Sequence, residues 1–335
     1  MSAIGYPFIL SSGIASSRLE KVTRSISPEA SARAKHYMVQ NGFTIVGENS
    51  RKHVMGRGPD TFCKSMTPDS AHRLENFYPL LERAALSAGF VPILLAIDCI
   101  DDEVSIAYFE YVHGEGGTAR DTADCLNIYA ALQESAARYG ADSTRVLIDA
   151  CHNEVSTWSE ELLQSWDPVH WADPKILHWA GVDARAMIEV GLPALRSVAS
   201  LLTALSPEGI CAPVHADLYV GNYLRTSTNQ AVIFDWDEGY WGLPGMGLQI
   251  LVREAMDNGI GGLDYKDLLE LAPAWVEMGI SESDLAVRTL ASAVIEIAGV
   301  RQSLTEWQRP RARHAAYLAA WACRYEWVIK RAQLC

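Results

Sequence analysis

In Val214-His215-Ala216-Asp217-Leu218-Tyr219-Val220-Gly221-Asn222-Tyr223-Leu224, followed by Ala231-Val232-Ile233-Phe234-Asp235-Trp236-Asp237, two short β-prone runs flank the polar turn Thr226-Ser227-Thr228-Asn229-Gln230. Runs 222–225 and 231–234 around such a turn form the pattern of a β-hairpin. A hairpin draws its outer ends together, so Asp217, Asn222 and Asp235 are expected to converge. One carboxylate placed to accept a proton, beside an amide and a carboxylate able to hold a magnesium ion, is the set that phosphoryl transfer from a nucleotide requires.

Composition leaves room for this chemistry and excludes other classes. The chain has 335 residues, 49% of them hydrophobic, enough for one large core or two modest ones. No run approaches the ~18 uncharged apolar residues of a membrane span. Residues 1–19 lack a basic residue ahead of their short apolar patch, which argues against a signal peptide. Seven cysteines without a Cys-x-x-Cys pair fit a reducing cytoplasm better than a disulfide framework or a zinc site. The net charge of −13 disfavours nucleic acid as a partner and favours a cationic one. A phosphate loop of the Gly-x(4)-Gly-Lys type is missing, and Gly114, Gly116 and Gly117 do not have dinucleotide-fingerprint spacing.

Upstream of the hairpin, Ser27-Pro28-Glu29 opens a helix through residue 40, with Asn41-Gly42 at its exit. Three strand-like runs follow, 43–47, 53–56 and 60–65, the last containing Lys64. Residues 69–88 are expected to be helical with an acidic cap, kinked or restarted at Pro79. Two more strands, 91–97 and 104–111, flank the turn Asp98-Cys99-Ile100-Asp101-Asp102 and complete a five-stranded antiparallel sheet. From Thr118 onward helical spacing dominates: 121–138, 142–164, 184–205, 248–256, 264–278, 282–304 and 311–332. Trp158, Trp166, Trp171 and Trp179, mixed with acidic residues, either fill helix seams or wall a cationic substrate.

The order His-x-Asp-x(4)-Asn, hairpin, Asp-Trp and then Gly242-Leu243-Pro244 resembles the aminoglycoside phosphotransferase and choline kinase family, small-molecule relatives of the protein kinases. The resemblance spans most of the chain, because a strand lysine and a hinge-like run precede the motif in the family's order. It implies an α+β, bilobal protein-kinase-like fold. Residues 1–112 would form the nucleotide-binding lobe, a five-stranded antiparallel sheet plus helix. Residues 113–335 would form a mainly helical lobe carrying the catalytic hairpin and the acceptor site.

By the same resemblance Asp217 is the catalytic base, His215 supports its loop, and Asn222 and Asp235 hold Mg2+. Lys64 would contact the α- and β-phosphates of ATP or GTP, paired with either Glu75 or Glu82, with Glu82 preferred because it lies beyond Pro79. The turn at 47–50, ending in Ser50, would cover the phosphates. Ile106-Ala107-Tyr108-Phe109-Glu110-Tyr111-Val112 would be the hinge, with the backbone at Glu110 and Val112 meeting adenine. Asp237 is assigned to a second metal or to the substrate. One departure stands out: where family members carry an aspartate past the proline, this chain has Gly247.

The expected activity is therefore nucleotide-dependent O-phosphorylation of a small-molecule hydroxyl, foremost an aminoglycoside or similar antibiotic. Alternatives are a small metabolic alcohol such as choline, homoserine or a sugar, or a catalytically silent nucleotide binder. Protein-kinase activity is disfavoured, because Asp-Phe-Gly and Ala-Pro-Glu elements are missing.

Overall fold

Helix α1 (Pro28–Gln40) starts where its capping serine stands: Ser27 Oγ accepts the Ala30 N–H at 3.1 Å, with proline in the first turn. Its face of Ala30, Ala34 and Met38 packs with Val54, Cys63 and Ile106 into a small core on one side of a sheet. That sheet is built from β1 (Thr44–Glu48), β2 (Val54–Arg57), β3 (Thr61–Met66), β4 (Leu94–Cys99) and β5 (Ser105–Glu110). Its order is β1-β2-β3-β5-β4, antiparallel throughout, as the sequence pattern implied. Cys99 belongs to β4 rather than to the turn, because pairing with Ser105 extends the strand past Asp98.

The computed structural model describes residues 26–49, 52–85, 90–137, 174–191, 193–194, 197, 212–237, 239–251, 265–303, 319–324 and 326. The tryptophan-rich stretch 158–171, the helix expected at 142–164 and most of 311–332 lie outside these residues.

Between β3 and β4 runs α2 (Pro68–Ala85), continuous through Pro79. The expected acidic cap is replaced by Thr67, whose Oγ1 accepts the Ser70 N–H at 3.3 Å. Leu74, Phe77, Tyr78 and Leu81 turn its apolar face into a second, larger core. At the centre of that core lies α3 (Thr122–Ala136), entered through a 3-10 turn whose Thr118 and Asp121 form a capping box. Cys125, Leu126, Tyr129, Ala130 and Leu132 are all fully buried, so α3 is enclosed on several sides and serves as the pillar of this part of the molecule.

The chain passes from β5 straight into β6 (Gly114–Gly116), which pairs antiparallel with the hairpin formed by β8 (Tyr223–Thr226) and β9 (Ala231–Ile233). The sequence pattern did not reveal β6. Its glycines permit a close approach: a Cβ on Gly114 would lie 2.6 Å from the Arg225 carbonyl oxygen. A two-stranded ladder joins β7 (Ala212–Val214) to β10 (Tyr240–Gly242) and frames the loop that carries Asp217. After the short α4 (Pro174–Ala180), the single helix expected at 264–278 is two, α5 (Tyr265–Leu271) and α6 (Pro273–Glu277), because Pro273 cannot donate to the preceding turn and starts a new helix. Helix α7 (Glu282–Ser303) follows, capped by Ser281 and Asp284, with Leu285 and Leu290 fully buried as expected.

Candidate active site

The loop from His215 to Asn222 is held by its own side chains. Asp217 N–H donates to His215 Nδ1 at 3.1 Å, so Nδ1 is the acceptor and Nε2 carries the proton, donated to the Phe234 carbonyl at 2.8 Å. Asn222 Nδ2 donates to the Asp217 carbonyl at 2.9 Å, and the Phe234 N–H donates to the Asn222 carbonyl at 2.9 Å. These bonds fix the hairpin's two ends side by side, with Asp217 and Asn222 held together and the backbone at Phe234, one residue before Asp235, bound to both His215 and Asn222. The Asp217 side chain lies 3.5 Å from Asn222 Nδ2 on an exposed residue. With its nitrogen so committed, the Asn222 amide has its oxygen left for a cation.

His215 is buried, stacked edge-on against Trp236 at 4.5 Å between centroids. Burial disfavours its imidazolium and outweighs the help from the Phe234 carbonyl, so the ring titrates below the 6.5 of a free imidazole. Its contribution to stability is therefore complete above pH 6.5 and is lost only as pH falls through the lowered value. Between about pH 7.5 and about pH 5 the melting temperature of wild type should fall relative to that of His215→Gln, which lacks this component.

Lys64 and Asp235 meet from opposite sides of the molecule. Lys64 Nζ, on β3, lies 2.5 Å from Asp235 Oδ1 and 3.1 Å from Asp237 Oδ2. Burial works against the ammonium, but the two carboxylates overcome it and raise the lysine's pKa. Two carboxylates share that single cation. Burial and the charge of Asp237 raise Asp235 above the ordinary carboxylate range; burial also opposes charge on Asp237, but Lys64 and the Asp235 hydrogen bond hold it below that range. Asp235 keeps 32% of its side chain exposed, whereas Asp237 keeps 9%. Asp235 also sits at φ 66°, a left-handed conformation that costs energy for a non-glycine residue and turns the side chain out of the strand direction.

Neither helix glutamate takes the place predicted for it. Glu82 Oε1 accepts the Leu94 N–H at 2.6 Å, tying α2 to the start of β4. Glu75 is exposed and lies 3.8 Å from His72 on its own helix. The lysine's carboxylates come instead from the segment after the hairpin. What α2 presents to that segment is Phe77, 6.1 Å from Trp236 and 5.8 Å from Trp241 between centroids.

Of the other predicted positions, Ser50 lies outside the described residues. Gly47 and Glu48 belong to β1, and the turn beyond them is closed by Asn49, whose Oδ1 accepts the His53 N–H at 3.0 Å. At the hinge, the Glu110 N–H donates to Ile93 at 2.8 Å and the Tyr111 N–H to Asp60 at 3.0 Å. Val112 N–H has no backbone acceptor among the described residues. The Arg57 guanidinium covers the Tyr111 ring at 4.3 Å.

Two residues of α3 that local patterns did not single out support the loop from below. Tyr129 Oη accepts the His215 N–H at 3.1 Å and donates to the Met246 carbonyl at 2.7 Å. Gln133 Nε2 donates to Pro213 at 3.0 Å, while its Oε1 accepts from Gly245 N–H and Trp275 Nε1–H, both at 2.8 Å. Gln249 Nε2 donates to the Ala216 carbonyl at 2.9 Å. In the sequence, the departure at Gly247 falls beside this support, next to the Met246 carbonyl that Tyr129 binds.

A model of the Phosphotransferase enzyme family matches residues 46–279, well over half of the chain and inclusive of every site residue described above. The chain belongs to the phosphotransferase enzyme family. No curated protein matches it in sequence. Among solved structures it is similar to a microcompartment-associated aminopropanol kinase, with 15% identity, TM-score 0.55, and coverage of 89% of this chain and 98% of the other. It is similar also to a choline/ethanolamine kinase family protein from Mesorhizobium loti, with 13% identity, TM-score 0.54, and coverage of 92% and 99%. A third is an AMP-bound spectinomycin phosphotransferase, with 11% identity, TM-score 0.50, and coverage of 86% and 97%. At such identities the likeness establishes the fold. This phosphotransferase has no helix, among its described residues, long and apolar enough to cross a membrane.

Proposed function

We propose that this phosphotransferase moves the γ-phosphoryl group of ATP or GTP to a hydroxyl of a small, amine-bearing molecule, foremost an aminoglycoside or related antibiotic. The observation that carries the reading is the exposed Asp217 carboxylate on a loop whose backbone is locked by His215 and Asn222, next to Asp235. Asp217 orients the acceptor hydroxyl and takes its proton as the oxygen attacks the γ-phosphorus. The bond from that phosphorus to the bridging oxygen breaks, and the nucleoside diphosphate leaves. Lys64 compensates charge on the remaining phosphates, with residues 1–112 as the nucleotide lobe, 113–335 as the acceptor lobe and Val112 N–H as the donor to adenine.

The residues fit a magnesium ion. A magnesium site needs only one or two protein carboxylates, the rest being phosphate and water. Asp235 is partly open and Asn222 has its amide oxygen available. Asn222 and Asp235 would hold the ion, which would supply charge neutralisation for the phosphates. Most of the acceleration then comes from alignment and charge compensation.

For the acceptor, the net charge of −13 favours a cation. A second reading, a small amino alcohol, draws on the aminopropanol and choline/ethanolamine kinases of similar fold. A panel of aminoglycosides, spectinomycin, choline, ethanolamine, aminopropanol, homoserine and sugars, assayed for label transfer from γ-labelled nucleotide with Mg2+, separates them. Transfer to the antibiotics is the expected result. Transfer confined to amino alcohols selects the second reading, and transfer to none, despite magnesium-dependent nucleotide binding, overturns both.

A further inference from the structure

Beneath the proposed catalytic loop lies a fully buried tyrosine hydroxyl, pressed against a glycine that no other residue can replace without displacing it. Tyr129, on α3, has no exposed surface, and its one hydroxyl proton goes to the Met246 carbonyl at 2.7 Å. A lone pair of the same oxygen accepts the His215 N–H at 3.1 Å. Gly247 stands one residue after Met246 with φ 98°, and a Cβ built there would lie 2.4 Å from Tyr129 Oη and 3.0 Å from the His215 carbonyl oxygen. Glycine therefore meets two demands at once, a left-handed backbone and room for the hydroxyl.

We propose that Tyr129 is a positioning residue of the catalytic loop and that Gly247 is its obligatory partner, together anchoring the loop through an uncharged hydroxyl; this rests on the phosphotransferase reading above. The path is short. Met246 fixes the hydroxyl, the hydroxyl fixes the His215 backbone, and the His215 ring fixes the Asp217 N–H and the Phe234 carbonyl beside Asp235. The Tyr129 ring is clamped by Trp275, edge-on at 6.1 Å, and by Trp236 at 6.4 Å. Gln133, one turn further along α3, ties Pro213 and Gly245 to the same helix, so both flanks of the tyrosine are held. A hydroxyl meets the buried N–H and carbonyl without adding a charge that would need desolvation close to Asp217 and Asp237.

Tyr129→Phe removes only the hydroxyl, taking from the buried His215 N–H its acceptor and leaving the Met246 carbonyl with Gln133 Nε2 at 3.4 Å. Its kcat is expected to fall about 10- to 100-fold, the effect of misplacing a reacting group by an ångström or less, with magnesium-dependent nucleotide affinity within about twofold. Tyr265→Phe is the matched control: an equally buried hydroxyl, accepting the Trp321 Nε1–H at 2.6 Å. It should lower the melting temperature and leave kcat within about twofold.

Gly247→Ala pushes a methyl against Tyr129 and should reproduce the kcat loss with nucleotide binding intact. In the Tyr129→Phe background its added cost to kcat should be smaller, because the hydroxyl it strikes is gone while the strain at φ 98° and the contact with the His215 carbonyl remain. Additive effects in that cycle, or a kcat loss in Tyr129→Phe no larger than in Tyr265→Phe, would overturn the assignment while leaving the phosphotransferase reading in place. If Tyr129→Phe does not fold, the loss of kcat in folded Gly247→Ala decides the matter, and unchanged kcat there overturns the assignment. A wild type that transfers phosphate to no acceptor overturns both.

Discussion

Asp217→Asn is expected to lower phosphate transfer by about three orders of magnitude, within the range general-base contributions reach, while magnesium-dependent nucleotide binding stays within about threefold of wild type. The asparagine keeps the shape and the backbone bonds of the loop. The His215 ring still accepts the residue-217 N–H, and Asn222 still reaches the residue-217 carbonyl. Only the capacity to take the acceptor's proton is removed. Single-turnover transfer at saturating nucleotide, set beside an equilibrium binding measurement, separates the two quantities. Loss of binding together with turnover would assign Asp217 to the metal instead.

Asp235→Asn is expected to have effects of opposite sign on activity and on stability. Removing the partly exposed carboxylate takes away the metal's charged ligand, and transfer should fall by at least about two orders of magnitude. The metal-free protein should become more stable, its melting temperature rising by about 2 °C or more at neutral pH. Burial and Asp237 raise the pKa of Asp235 in the fold. A carboxyl raised in this way contributes stability that is full below its unfolded value of 3.8 and is lost as pH rises through the raised folded value. Thermal melts across that interval should show the variant's margin over wild type widening as pH rises, since the variant has no raised carboxyl to lose and Lys64 keeps Asp237 as its partner. Asparagine tolerates the left-handed φ of 66° at this position, so the substitution adds no new backbone strain. A variant less stable than wild type at neutral, metal-free conditions would show that the Lys64–Asp235 contact stabilises more than the second buried charge costs.

How much of this was legible in the chain follows the range of the interactions. The hairpin of β8 and β9, the five-stranded sheet, the cap at Ser27 and the helix ended by Gly42 all rest on local patterns, and each is found within a residue or two of its expected bounds except β4, which starts three residues later than expected. Lys64 was placed by its position on the third strand. Its partners were not, because the glutamates of α2 and the aspartates after β9 are equally acidic on paper and only packing selects between them. Phe77 and Trp236 fill the space between α2 and the hairpin end, Glu82 is drawn to the start of β4, and Lys64 turns to Asp235 and Asp237. Tyr129 was invisible for the same reason. It looks like any buried helix aromatic until the chain returns more than a hundred residues later to place Met246 and Gly247 against its hydroxyl. The split between α5 and α6 was legible in principle, since Pro273 marks it, but helical spacing on both sides masked the break.

The central claim is that Asp217, set beside Asn222 and Asp235, directs a nucleotide's γ-phosphate onto a small-molecule hydroxyl. Its most direct test is transfer of label from γ-labelled ATP or GTP to the acceptor panel, with Mg2+, in wild type and Asp217→Asn side by side. Labelled product from the wild type, and loss of about three orders of magnitude in its rate in the variant, is the predicted result. Equal rates in the two proteins, or no labelled product from a wild type that binds nucleotide, would contradict it.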